Sequence, residues 1–122
     1  ISGQIMKAPA DATKTTAVTM EQIVMKVPDR SQKFQAPEPI RPDKSPWTSM
    51  ADTATAFEKR RAATINFVSK GNDDMRERFF MNPALGSELD AYLWIAFLSA
   101  HTERHVKQIL EVKANPDFPK KK

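Results

Sequence analysis

Between Gly86 and Pro116 the chain contains neither proline nor glycine. This run constrains the fold more than any other feature, because those two residues are the ones that interrupt helices. It predicts a helix over residues 87–114, with Ser87 as N-cap, Asp90 in the first turn and a stop at Asn115-Pro116. At about 1.5 Å per residue such a helix is roughly 40 Å long. Its first half is apolar on nearly every side: Leu89, Tyr92, Leu93, Trp94, Ile95, Ala96, Phe97 and Leu98. That predicts burial on more than one face, whereas the second half is amphipathic.

The rest of the chain divides by its breakers. Residues 1–46 hold Pro9, Pro28, Pro37, Pro39, Pro42 and Pro46, most of the nine prolines present. The segment Ala36-Pro37-Glu38-Pro39-Ile40-Arg41-Pro42 cannot be a helix interior and is expected to be extended surface chain. One short helix is expected within this region, over 19–27. There Met20, Ile23, Val24 and Val27 repeat at helical spacing, Thr19 and Gln22 suit a capping box, and Pro28 stops the run. Residues 48–70 predict a long helix capped by Thr48 or Ser49, with a stripe of Met50, Ala54, Phe57, Ile65 and Val68. Arg61 interrupts that stripe, and Gly71-Asn72 is the expected stop. Residues 73–86 read as a connector with at most a helical turn. The reading is therefore all-α: two long helices, a short helix and a proline-rich crossover. Its layout is one domain over 1–122, with the crossover in 1–46 and a helical hairpin in 47–122.

The only two histidines, His101 and His105, stand four residues apart. That step places two imidazoles one turn apart on a single helix face, where their nitrogens can converge on one cation. Trp94 and Leu98 precede them on the apolar side, and Ile109 and Val112 follow. Gln108 lies one turn beyond His105, within reach of the same site. The alternative is a pair of core histidines hydrogen-bonded to neighbours, which is costly without an acidic partner. A zincin-type catalytic motif is excluded, because Thr102 stands where that motif needs glutamate. Imidazole ligands suit zinc, nickel, copper and iron alike, and zinc or nickel is the metal expected.

Composition narrows the function classes. With no cysteine there is no disulfide and no thiolate zinc site. The net charge of +4 owes most to Lys120, Lys121 and Lys122, so nucleic-acid binding has little support. No apolar run reaches membrane-spanning length and no signal peptide is visible, so no membrane partner and a cytoplasmic location are expected.

The stretch from Ala91 to Ile109, above all Ala100-His101-Thr102-Glu103-Arg104-His105 with Gln108-Ile109, resembles the last helix of DinB-like proteins. Pro83-Ala84-Leu85-Gly86 before Asp90-Ala91-Tyr92 resembles the connector that precedes it. The likeness is close over residues 73–118 and looser over 47–72. In 1–46 it extends only to the end of an earlier helix and a long crossover. It implies an up-and-down four-helix bundle with a three-histidine metal site, in which His101 and His105 are two of the ligands and Trp94, Leu98 and Gln108 flank the cavity. It also implies a metal-dependent enzyme of the thiol-dependent transferase or hydrolase class, whose metal activates a low-molecular-weight thiol or water. The third ligand would come from an earlier helix. Because Ile1-Ser2-Gly3-Gln4-Ile5-Met6 reads as the tail of a helix, that ligand is expected upstream of Ile1. The chain would then supply part of the site, and hold metal weakly, with a non-histidine donor, or not at all. The second reading is a metal-free helical dimerisation or interaction module. Two long helices leave much apolar surface bare, so a homodimer is expected, with its interface over Leu89 to Leu98.

Overall fold

The computed structural model describes residues 7–36, 38, 41–71 and 74–119. The expected helix tail at 1–6, the lysines at 120–122, Pro37, Pro39 and Ile40 of the proline segment, and Asn72 of the expected helix stop lie outside them. Two compact units emerge, one within residues 33–74 and one formed by segments of 3–32 and 75–122.

The second unit begins with helix α1, Met20–Lys26. Thr19 accepts from the Gln22 amide, and the Gln22 side chain accepts from the Thr19 amide, so the capping box is complete. The first unit contains a 3-10 turn at Pro42–Lys44 and helix α2, Met50–Ser69. Ser49 caps α2 by accepting from the Asp52 amide at 3.0 Å. None of its residues is buried. Arg61 stacks over the Phe57 ring at 5.2 Å, which answers how its charge sits beside the apolar stripe.

The sequence expectation fails between residues 79 and 90. Here the chain forms a β-hairpin, β1 Phe79–Asn82 and β2 Ser87–Asp90, paired antiparallel with Phe80 opposite Leu89 and Asn82 opposite Ser87. The turn explains why. Asn82 Oδ1 accepts from the amides of Ala84 (3.0 Å) and Leu85 (3.1 Å), and Gly86 takes a positive φ of 62°. Ser87 is therefore a strand residue, and Asp90 caps the last helix by accepting from the Leu93 amide at 2.7 Å. Helix α3 runs Ala91–Ala114.

The architecture is thus three α-helices and a two-stranded antiparallel sheet among the described residues, in place of the expected all-α four-helix bundle. The physical reason lies in two segments. Among the described residues of the first 46, α-helix is limited to the seven of α1 between prolines, and a side-chain-closed turn diverts 79–90 into strands.

The hairpin and α1 cover the first half of α3. Leu89, Leu93, Trp94 and Phe97 join Ile23 and Val27 in one buried cluster. Trp94 donates its indole N–H to the Phe80 carbonyl at 2.9 Å. The residues expected to lie bare for a partner copy are therefore mostly buried inside this chain, although Tyr92 is exposed. Residues 8–11 run along the hairpin, with Ala10 bridging Arg78 and the Asp11 amide donating to the Glu77 carbonyl at 2.8 Å. Among the described residues no helix is long and apolar enough to cross a membrane.

Asp90 couples hairpin to helix, since it also pairs with Arg76 at 3.0 Å. Asp90→Ala is expected to lower stability by about 1–2 kcal/mol, the usual value of a good N-cap. Urea denaturation followed by circular dichroism measures it, with Glu88→Ala as an exposed-pair control expected to stay within about 1 kcal/mol.

Candidate metal centre

Helix α3 carries every residue singled out for the site. Its four-residue step places the rings of His101 and His105 edge to face, with centroids 4.4 Å apart. His101 is half-buried and stacks on Phe97, centroids 5.3 Å apart and planes within 14°. Phe97 in turn meets Trp94 edge-on at 5.5 Å, and Trp94 meets Phe80 at 5.8 Å. A continuous column of rings thus runs from the hairpin to the histidine pair.

His105 is exposed, and its Nδ1 lies 3.0 Å from Gln108 Oε1. With that oxygen as acceptor, Nδ1 carries the proton and Nε2 keeps its lone pair. Orientation of a ligating imidazole by an oxygen on its other nitrogen is what metal-binding histidines require. Burial is the main cause of a lowered His101 pKa, helped by the charges of His105 and Arg104. The neutral imidazole, the form that binds metal, is thereby favoured.

The fold brings together His101, His105 and Gln108. Trp94 stands apart: it is buried and lies seven residues, about 10 Å, before His101 along the axis. Leu98 is half-buried one turn ahead of the pair, and its carbonyl accepts from the Thr102 hydroxyl at 2.8 Å. Glu103 is exposed and pairs with Lys107 at 2.8 Å, on a different face from the histidines.

Two residues that shape the site escaped sequence reasoning. Phe97 reads only as core, yet it lies four residues before His101, so extending the histidine step backwards would have found it. Arg104 is read only as part of the DinB-like stretch, with no role of its own. Its guanidinium donates to the carbonyls of Val27 (3.3 Å), Asp29 and Gln32 (2.6 Å), and so ties the chain after α1 to α3 beside the pair. No sequence pattern announces a side chain that binds only backbone.

The donor set is short of a complete centre. Among the described residues no three of His, Cys, Asp and Glu converge as a metal-holding group. The pair supplies at most two imidazole donors.

The family model of the DinB superfamily matches residues 6–109. The chain belongs to the DinB superfamily. Members of this superfamily often bind metal. No curated protein and no solved structure matches the chain.

The lowered His101 pKa sets a direction for acid sensitivity. Below the ordinary value of 6.5 the unfolded chain takes up a proton at this residue before the folded chain does. Stability therefore rises with pH in that window, and is lost as pH falls through the folded pKa. His101→Phe, which keeps the stack on Phe97, is expected to lose part of the acid-induced fall in melting temperature; thermal unfolding followed across that pH range measures it.

Proposed function

We propose that this DinB-superfamily chain contributes two ligands, His101 and His105, to the divalent metal centre of a metal-dependent enzyme of the thiol-dependent transferase or hydrolase class. The observation that carries this reading is the edge-to-face imidazole pair with Gln108 holding His105 Nδ1. Imidazoles suit zinc, nickel, copper and iron alike, and zinc or nickel is the metal proposed. When bound, the metal lowers the pKa of a coordinated thiol or water, so that an anionic nucleophile exists near neutral pH.

The chain's own residues do the rest. Phe97 stacks on the His101 ring, burial favours the neutral form of that imidazole, and Gln108 directs the His105 lone pair away from its protonated nitrogen. Remaining donors come from outside the set that the described residues bring together.

Calorimetric titration of the chain with zinc and with nickel tests this. Measurable binding is expected, abolished by His101→Ala or His105→Ala and weakened about 10- to 100-fold by Gln108→Ala, the usual cost of losing an orienting partner. No heat from either metal would sink the reading.

A second reading is favoured by a specific observation: Val106 and Leu110, one turn apart on α3, are exposed. A metal-free interaction module would use such a strip to pair two copies as a homodimer. Sedimentation at micromolar concentration separates the cases. A homodimer that Leu110→Glu splits into monomers, with no metal bound, supports the module; a folded monomer removes it.

A further inference from the structure

The second half of α3 has a feature that neither the metal pair nor the core absorbs. After Ala114 the chain turns back on itself. Asn115 Oδ1 accepts from the Asp117 amide at 2.9 Å, and the Asn115 carbonyl accepts from the Phe118 amide at 2.9 Å. This turn borders a shallow, open groove of about 440 Å³ lined by His105, Gln108, Ile109, Val112, Lys113 and Phe118. The volume falls within the range of small-molecule sites, about 300–1,000 Å³. Its walls are Ile109, Val112 and Phe118, and its single charged side chain is the Lys113 ammonium, with no carboxylate among the lining residues.

A second groove on the same helix makes the contrast. It is lined by Pro28, Asp29, Arg30, Lys107, Leu110 and Glu111 and is of similar volume. There Arg30 and Glu111 neutralise each other at 2.9 Å, and Lys107 is paired with Glu103. The second groove carries charges of both signs, Asp29 and Glu111 beside Arg30 and Lys107, whereas the first has an apolar floor and Lys113, in the last turn of α3, as its one charged lining side chain.

We infer that the groove between His105 and Phe118 binds a small amphipathic anion, with an apolar body on Ile109, Val112 and Phe118 and an acidic head on Lys113. Eight residues separate His105 from Lys113, about 12 Å along the helix at about 1.5 Å per residue. A medium-chain carboxylate laid along the groove reaches from Lys113 towards the histidine pair. Calling that molecule a substrate rests on the metal-enzyme reading, because its far end would lie beside His105. Binding itself does not require metal.

The test uses the full chain in the presence of a chelator, titrated calorimetrically with octanoate and with octylamine below their micelle concentrations. Octanoate is expected to bind and octylamine to bind more weakly. Lys113→Ala is expected to weaken octanoate about two- to fivefold, the worth of an exposed ion pair. Lys113→Glu is expected to reverse the preference, and Phe118→Ala to weaken both ligands. These side chains are all exposed, and circular dichroism verifies that each variant keeps its helix. Equal binding of the two probes, binding of neither, or a groove closed by a second copy in a sedimenting dimer would overturn the proposal. Zinc titration of the same proteins after removal of the chelator fails or succeeds separately: His101→Ala, outside the groove, is expected to abolish zinc binding and spare octanoate.

Discussion

The unit that carries the histidines depends on the burial of Trp94. Its ring is only 3% exposed, and its N–H is satisfied by the Phe80 carbonyl of the hairpin. Losing a buried aromatic costs about 3–5 kcal/mol, whereas an exposed ion pair such as Lys14–Glu88 is worth about 0.2–1 kcal/mol. The ring contact therefore outweighs the charge pairs around the same hairpin. It also sets direction. Because Phe97 packs edge-on to Trp94 and His101 stacks on Phe97, the orientation of the first histidine is inherited from the hairpin two turns away.

Helix α3 is accordingly two structures in sequence. Its first half is a core helix, with Leu93, Trp94, Phe97 and Ala100 buried under the hairpin and α1. Its second half is exposed from His105 onward. Arg104 stands at the boundary and holds the chain after α1 by three carbonyls. Each of these is a charge-assisted bond to a neutral acceptor, stronger than an ordinary amide contact. Farther along, Arg30 pairs with Glu111 and gives that same segment a second tether. The covering of α3 ends at Arg104, about one turn after the first histidine, and beyond it Arg30–Glu111 is a pair on the exposed half.

The sequence discloses much of this, but unevenly. Helix α3 is legible because nothing interrupts it, and α1 because Thr19 and Gln22 leave a capping signature before an apolar repeat. The DinB likeness is legible in the Ala100–Ile109 stretch, and the family model over residues 6–109 shows the membership. The hairpin is not legible as such. Its strands are four residues each, too short for alternation to stand out, and Ser87 is as good a cap by type as Asp90. What decides between them is tertiary: Leu89 is fully buried, and the Asn82 side chain closes the turn. The four-helix bundle fails for the same reason, since it is inferred from family likeness and not from any pattern within residues 79–90. At the site, spacing alone yields His101, His105 and Gln108. The roles of Phe97 and Arg104 emerge only once the chain is folded, because stacking and carbonyl capture leave no periodic trace.

The position of the histidines at the end of the covered half of α3 has a chemical consequence. His101 has one side on the apolar column, where burial favours its neutral form, and exposed His105 is held by the His101 ring and by Gln108. A site buried on every side would leave no path for a ligand, and one exposed on every side would not keep an imidazole oriented. This pair has one fixed ring and one accessible ring. The apolar groove lined by Ile109, Val112 and Phe118 begins at the accessible ring. The same boundary that ends the core thus sets the direction from which a molecule with an apolar body can approach the pair: along the bare half of the helix, from Lys113 towards His105.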